Sequence, residues 1–331
     1  MFHFSIITIT SIIFFVIIYL SAYKLSFRMG LVDQQNDRKI HVGKIPLIGG
    51  IVIFINSLII SLIFQINLPF ELLVLFYSTF LLLILGTYDD LFHLSPVKRL
   101  IFQLIAIIIV INSGLSISSL DSHGFQINLG IFSMIFTILC MLVIINSYNF
   151  IDGLDGFCSV SFLITIIFIL FYTSSSIYDN ILLYIISINV GVFLFFNFNF
   201  FKIGKSFLGD NGSTSLGFIL GFYLIYLYNN NEIQAFDIPW LLAVPIFDFC
   251  RVTIYRIKNK ISPIEPGLIH LHHILYQKIP NKFLTLLVLV LIIFLFIFFG
   301  LILNSFYPKF SLLIYCILFF AYSFILNKSL A

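Results

Sequence analysis

The side chains best suited to chemistry in this chain fall in four short stretches. Asp89 and Asp90 are adjacent at the end of an apolar run and are followed by Ser95-Pro96-Val97-Lys98-Arg99. Neighbouring carboxylates repel each other unless a cation lies close, and the usual solution is a divalent metal or a metal-bound phosphate. An Asp pair can also simply cap the next helix. Lys98 could supply a point charge to a phosphate. The second stretch, Asn146 to Gly156, holds Asn146, Asn149, Asp152 and Asp155 without one Lys or Arg. Asp152 and Asp155 are three apart and would share a helical face, and the glycines would allow close approach of backbone or ligand. Their counter-charge must come from a metal, a ligand or another loop. The third, Phe207 to Thr214, places Asp210 just before a Ser/Thr helix start. That is how an ordinary N-cap region reads, but Lys202, Lys205 and the helix N-terminus together also make an anion site. The fourth is His270-Leu271-His272-His273. Three His in four residues could ligate zinc, yet no Cys or fourth ligand sits at helical spacing, so contact with phosphate is the better reading.

The elements that must carry these residues are apolar. Hydrophobic residues make up 61% of the 331 and charged residues 9%, with a mean hydropathy of +1.14. A soluble surface would need roughly a quarter of its residues charged, so lipid is the main solvent of this chain. The same figures exclude disorder, a disulfide scaffold and, with a net charge of only +3, nucleic-acid binding. Cys140, Cys158, Cys250 and Cys316 lie in or beside apolar runs and read as small core residues. With about 20 apolar residues needed per crossing, the chain offers roughly eleven transmembrane helices. They lie at approximately 4–22, 47–65, 70–88, 100–117, 129–146, 158–174, 180–198, 214–228, 238–255, 283–303 and 310–327. The first, with no basic residue before it and no small-residue cleavage site after it, reads as a retained span rather than a signal peptide. Ser116 to Asn128 and Asn229 to Asp237 read as plain loops. The expected fold is all-α and polytopic, one integral membrane domain over residues 1–331.

Basic residues are retained in cytoplasmic loops. Under the eleven-span assignment every Lys and Arg except Lys309 falls on one side, which puts the N-terminus outside and the C-terminus in the cytoplasm. All four chemical stretches then lie on the cytoplasmic side, where carboxylates suited to Mg²⁺ meet cations suited to phosphate on a lipid-immersed body. That fits a reaction between a soluble pyrophosphate compound and a lipid acceptor. An ion-coupled transporter would place its ionisable groups at mid-span, whereas most of these spans have clean centres.

In their order along the chain these stretches resemble the polyprenyl-phosphate N-acetylhexosamine-1-phosphate transferases of glycosyltransferase family 4. The resemblance rests on Asp37 to Pro46 with Gly49-Gly50, Asp89-Asp90 with Lys98, Asn146 to Gly156, Phe207 to Ser213, Pro245-Ile246-Phe247-Asp248, and His270-x-His272-His273. It is nearer to the branch that starts O-antigen and teichoic acid linkage units than to the muramoyl-pentapeptide branch. What it implies is transfer of N-acetylhexosamine 1-phosphate, GlcNAc by default, from a UDP-sugar to undecaprenyl phosphate with release of UMP. It also implies Mg²⁺, or Mn²⁺ in its place, with Asp210 the principal metal ligand and Asp89 assisting. Asp89 and Asp90 would share metal binding and acceptor activation; Asn146, Asn149, Asp152 and Asp155 would hold the nucleotide or the metal's water shell. Lys98, His270, His272 and His273 would contact phosphates, and Arg38, Lys39 and His41 the substrate. Where relatives usually carry an Asp-Arg pair, this chain has Gly267 and Leu268. A homodimer is left open.

Overall fold

The computed structural model describes residues 2–34, 43–122, 125–173, 180–262 and 267–329. Among them the chain is mostly helical: α1 (Phe2–Met29), α2 (Gly49–Ile63), α3 (Phe70–Phe92), α4 (Pro96–Asn112), α5 (Ser133–Ile151), α6 (Phe157–Tyr172), α7 (Ile181–Asn197), α8 (Gly209–Asn229), α9 (Asp237–Leu241), α10 (Ala243–Lys258), α11 (Leu271–Lys278), α12 (Lys282–Phe306) and α13 (Pro308–Lys328). Two antiparallel ladders accompany them, β1 (Val32–Asp33) with β2 (Ile45–Pro46), and β3 (Ser119–Ser122) with β4 (Phe125–Asn128).

Helix covers most of each of the eleven apolar runs, but among the described residues length and composition qualify only α1, α3, α5, α12 and α13 to cross a membrane. The reasons are local. At 15, 16 and 17 residues, α2, α6 and α7 fall short of the roughly 20 that a bilayer core demands. α8 opens on a polar turn, and the run at 238–255 is not one helix. Pro245 has no N–H to offer the carbonyl four residues back, so the ladder breaks at Leu242 between α9 and α10. The Leu241 carbonyl accepts instead from the Thr165 hydroxyl at 3.3 Å.

Other expectations shift too. Of the four free cysteines only Cys158 is fully buried, and Cys316 is exposed. Ser116 to Asn128 is more than a plain loop, because it contains the β3–β4 ladder. Tyr228 of α8 fastens that ladder, its hydroxyl donating to the Ser119 carbonyl and accepting from the Asp121 N–H, each at 2.9 Å.

The chain divides into two compact units, Met1–Ser113 with Ser175–Ile219, and Gly114–Ser174 with Leu220–Ala331; the boundary falls inside α8. In the first unit α1, α2 and α7 pack together around a buried amide pair. Asn56 donates to Asn189 Oδ1 at 2.7 Å and to the Ser11 carbonyl at 2.9 Å, and Asn189 donates to Ser57 at 2.9 Å. Amide and hydroxyl pairs of this kind hold apolar helices together where lipid offers no hydrophobic drive. In the second unit α12 packs against α6, α9, α10 and α13. Its Gly300 lies against the buried Trp240, whose indole N–H donates to Ser311 at 2.9 Å.

A Cβ at Gly300 would sit 2.1 Å from Trp240 Cδ2. Helix propensity favours Ala over Gly by about 1 kcal/mol, while overpacking costs about 1–3 kcal/mol. Gly300→Ala should therefore lower the melting temperature of the purified protein in detergent; a higher one would mean that the indole moves aside freely.

Candidate active site

In the first unit the site is built on the start of α8. Gly209 turns the chain with φ +80°, and the first N–H groups of α8 have no partner within their own helix. Asp90, from the end of α3, supplies one: its carboxylate accepts from the N–H of Asp210 at 3.1 Å, the N–H of Asn211 at 3.3 Å and the Asn211 side-chain amide at 2.6 Å. Asp90 is thus a cap lent by another helix. The start of α2 is fastened to the same place, with Gly49 N–H donating to Phe207 and Gly50 N–H to Leu208, both at 3.0 Å. Close approach explains the Gly49-Gly50 pair, since a Cβ on Gly50 would lie 2.3 Å from Asn211 Oδ1 and from Gly212 Cα.

Asp89 faces another way. Its Oδ1 accepts from Leu94 N–H at 2.7 Å and closes the end of α3, while Oδ2 lies 2.6 Å from Arg99 Nε. That second contact is a charge contact rather than a hydrogen bond, because the Nε–H itself finds no acceptor. Arg99 Nη1 donates to Asp210 Oδ2 at 2.9 Å. One guanidinium therefore bridges Asp89 and Asp210, and of these two carboxylates Asp210 is the open one, at 37% side-chain exposure against 5%. Lys98 is exposed on the first turn of α4; the cation that reaches the carboxylates is its neighbour, Arg99.

In the second unit Asp152 and Asp155 do not share a helical face. α5 ends at Ile151, Asp152 is its C-cap, and Gly156 at φ +76° precedes α6, so both carboxylates lie in the turn between. The counter-charge that their own loop lacks comes from the start of α12, where Lys282 Nζ is 3.2 Å from Asp155. Asn146 donates to the Leu142 carbonyl of its own helix at 2.8 Å, and Asn149 is half-buried on the last turn of α5.

The His run abuts this turn. A Cβ at Gly153 would lie 2.2 Å from His272 Nε2, so only glycine lets the ring and the turn meet so closely. His272 is buried, and neither ring nitrogen has a hydrogen-bond partner. Burial holds its pKa well below the usual value, with the neighbouring His273 adding to the effect. His273 is held down to about 4, again by burial first and then by His270. His270 Nδ1 lies 2.8 Å from Asp248, which Arg251 also contacts at 2.9 Å. Gly267 and Leu268 are exposed, and a Cβ on Gly267 would be 3.1 Å from Arg256 Nη2, so α10 brings guanidinium groups to the loop where the usual Arg is missing. Arg38, Lys39 and His41 lie outside the described residues.

Comparison with known proteins bears on what these two clusters are. The family profile described as "Glycosyl transferase family 4" matches residues 72–228. The "Undecaprenyl-phosphate alpha-N-acetylglucosaminyl 1-phosphate transferase" of Yersinia pestis is 31% identical over 267 residues, covering 77% of this chain and 72% of that protein. The chain belongs to glycosyltransferase family 4. A Bacillus subtilis (strain 168) relative, named "Probable undecaprenyl-phosphate N-acetylglucosaminyl 1-phosphate transferase", is 32% identical over 257 residues, 76% of this chain and 71% of its own.

The family match spans Asp89, Arg99, Asp152, Asp155 and Asp210, but Asp248 and the His run fall beyond residues 72–228. Among the residues placed in these clusters, Arg99, Asn211, Arg251 and Lys282 were not singled out as site residues in the sequence. In the sequence Lys98 is the cation expected to meet a phosphate; only the direction in which α4 leaves its first turn shows that Arg99 is the one that meets the carboxylates. Asp248 was visible as part of a motif, but its partners were not.

Two outcomes follow. Arg99→Gln should cost far more activity than Lys98→Gln, by at least about tenfold, because it leaves two carboxylates without their shared cation; equal losses would show that the guanidinium bridge is dispensable. Acid should also weaken the second unit. An unfolded His273 takes up a proton near its ordinary value of 6.5 whereas the folded one waits until about 4. In that window the unfolded state binds more protons, so stability is full above it and falls as pH drops through it. Thermal melts between about pH 7 and pH 4 should show this fall, and His273→Gln should make it shallower, His272 contributing the remainder.

Proposed function

We propose that this family 4 protein transfers GlcNAc 1-phosphate from UDP-GlcNAc to undecaprenyl phosphate, releasing UMP, at the cytoplasmic face of a bacterial plasma membrane that the chain crosses about eleven times. The observation that carries the reading is the cluster at the start of α8, where Asp89, Asp90, Arg99 and Asp210, all inside the family match, converge on one helix N-terminus. The relatives' names supply the acceptor and the sugar; the UDP donor follows from the family resemblance.

In the reaction an oxygen of the lipid phosphate attacks the β-phosphorus of the donor, and the bond from that phosphorus to the oxygen bridging to the α-phosphorus breaks. GlcNAc then rides on a new lipid-linked diphosphate, and the bridging oxygen leaves with UMP. Little covalent chemistry is asked of the protein, and positioning with charge neutralisation does most of the work.

The residues present fit a hard divalent cation. No group of three or more His, Cys, Asp or Glu forms a metal cage among the described residues. Mg²⁺ does not demand one, since it is usually held by one or two carboxylates together with substrate phosphates and water. Here Asp89 and Asp210 share the Arg99 guanidinium, Asp210 is partly open, and Asn211 Oδ1 is buried without a hydrogen-bond partner. Asp210 with Asp89 would hold the ion, which when bound neutralises pyrophosphate charge. Asp90, its oxygens already engaged by Asp210 and Asn211, would keep α8 in place. Arg99 would pass a charge-assisted contact to a phosphate oxygen as it lets go of Asp210. Lys98, Arg38, Lys39 and His41 would contact substrate, and Asn146, Asn149, Asp152, Asp155, His272 and His273 would hold the donor.

The test is UMP release by the purified protein with UDP-GlcNAc, undecaprenyl phosphate and Mg²⁺. Wild type should release UMP only when the lipid phosphate is present, and Asp210→Asn should reduce the rate by at least about a hundredfold. Release without lipid phosphate, or full activity in the variant, would sink the reading.

A further inference from the structure

Three consecutive residues ahead of and at the start of α11 are tied to α10, each through a different atom. The Ile269 carbonyl accepts from Arg251 Nη2, the His270 ring meets Asp248 Oδ2 at 2.8 Å, and the Leu271 N–H donates to Asp248 Oδ1 at 2.9 Å. Asp248 and Arg251, one turn apart on α10, are themselves paired at 2.9 Å, and Arg251 is wholly buried. Arg251 Nη1 also reaches Asn327 at 3.4 Å, and the Tyr322 hydroxyl donates to Asp248 Oδ1 at 3.3 Å, both from α13.

This is more than starting a short helix requires. His270 occupies the N-cap position of α11 with no side-chain cap bond, where one Ser or Asp would ordinarily suffice. A buried ion pair is also a poor source of stability, since removing two charges from water costs about what their attraction returns. Such a pair beneath the histidine is better explained by what it does to the ring.

Its effect follows from counting donors. An ionised carboxylate only accepts, so Asp248 Oδ2 requires a proton on His270 Nδ1. In a ring that carries that proton alone, the lone pair lies on Nε2. We propose that Asp248, held by Arg251, is a positioning residue that locks His270 in the Nδ1–H tautomer, so that Nε2 accepts a hydrogen bond from a hydroxyl or N–H of the sugar-nucleotide donor. This rests on the transferase reading for its substrate and changes the role of His270 within it, from a contact to phosphate oxygens, which only accept, to one that reads a donor group.

The surroundings dictate what Asp248→Asn would do. Oδ1 faces three donors, from Arg251, Leu271 and Tyr322. The Asn carbonyl must take that side, leaving its NH₂ against His270 Nδ1. The ring can answer only by moving its proton to Nε2, turning the acceptor into a donor.

The experiment is ¹⁵N spectroscopy of histidine-labelled full-length protein in lipid near neutral pH, with the His270 signal assigned by its loss in His270→Gln. Wild type should show a protonated Nδ1 and a bare Nε2, and Asp248→Asn the reverse. Asp248→Asn should also raise KM for UDP-GlcNAc by about tenfold or more, with kcat within about threefold, as expected when a ground-state hydrogen bond is lost and its partner is left unpaired. A proton on Nε2 in wild type overturns the proposal even if the variant fails to fold. An unchanged tautomer or an unchanged KM in a folded variant overturns it as well. The wild-type spectrum needs no turnover, so it fails or succeeds separately from the UMP assay on which the transferase reading depends.

Discussion

The first unit depends on one set of bonds: the Asp90 carboxylate against the opening turn of α8. A helix that begins inside a protein leaves backbone N–H groups that must find partners, and water is scarce beside lipid. Asp90 satisfies two of them and the Asn211 amide as well. The place where Asp210 leaves the backbone is thereby fixed by a different helix, and the beginnings of α2 and α8 can approach to the distance that only Gly50 permits. The same bonds that build the cluster also solve the helix-start problem.

Charge is the second organising constraint. In a chain with 9% charged residues, several carboxylates pair with a cation, and in two of the pairings described that cation comes from another element. Arg99 of α4 serves Asp89 and Asp210, and Lys282 of α12 serves Asp155. Arg251 and Asp248, by contrast, share a helix. Each pairing draws two segments together, so the ion pairs place the loops as well as neutralising them. Two rings of the His run show the reverse, burial holding the pKa of His272 and of His273 below the usual histidine value, with neighbouring histidines adding to the effect.

Much of the molecule was legible beforehand. Apolar runs are read without tertiary knowledge because a bilayer imposes a length and forbids exposed backbone, and helix covers most of every run. The division at Leu242 was less visible: Pro245 stood in the sequence, but whether a proline kinks a helix or ends it depends on what takes the orphaned carbonyl, here Thr165. Asp152 and Asp155 share no helical face because α5 stops at Ile151 and α6 starts only after Gly156, so both fall where helical spacing no longer holds.

The sequence by itself determined the solvent of this protein, its helical class, the stretches where chemistry could happen and the family to which it belongs. These rest on composition, spacing and ordered motifs, which belong to the chain regardless of how it folds. The tertiary structure decided which of two adjacent basic residues meets the carboxylates, which Asp of the pair caps a helix and which remains beside a cation, and which histidine is backed by a buried carboxylate. Those are questions of direction. A side chain's partner is set by where its helix points, and residues as distant in sequence as Asp90 and Asn211 become neighbours only when the helices pack.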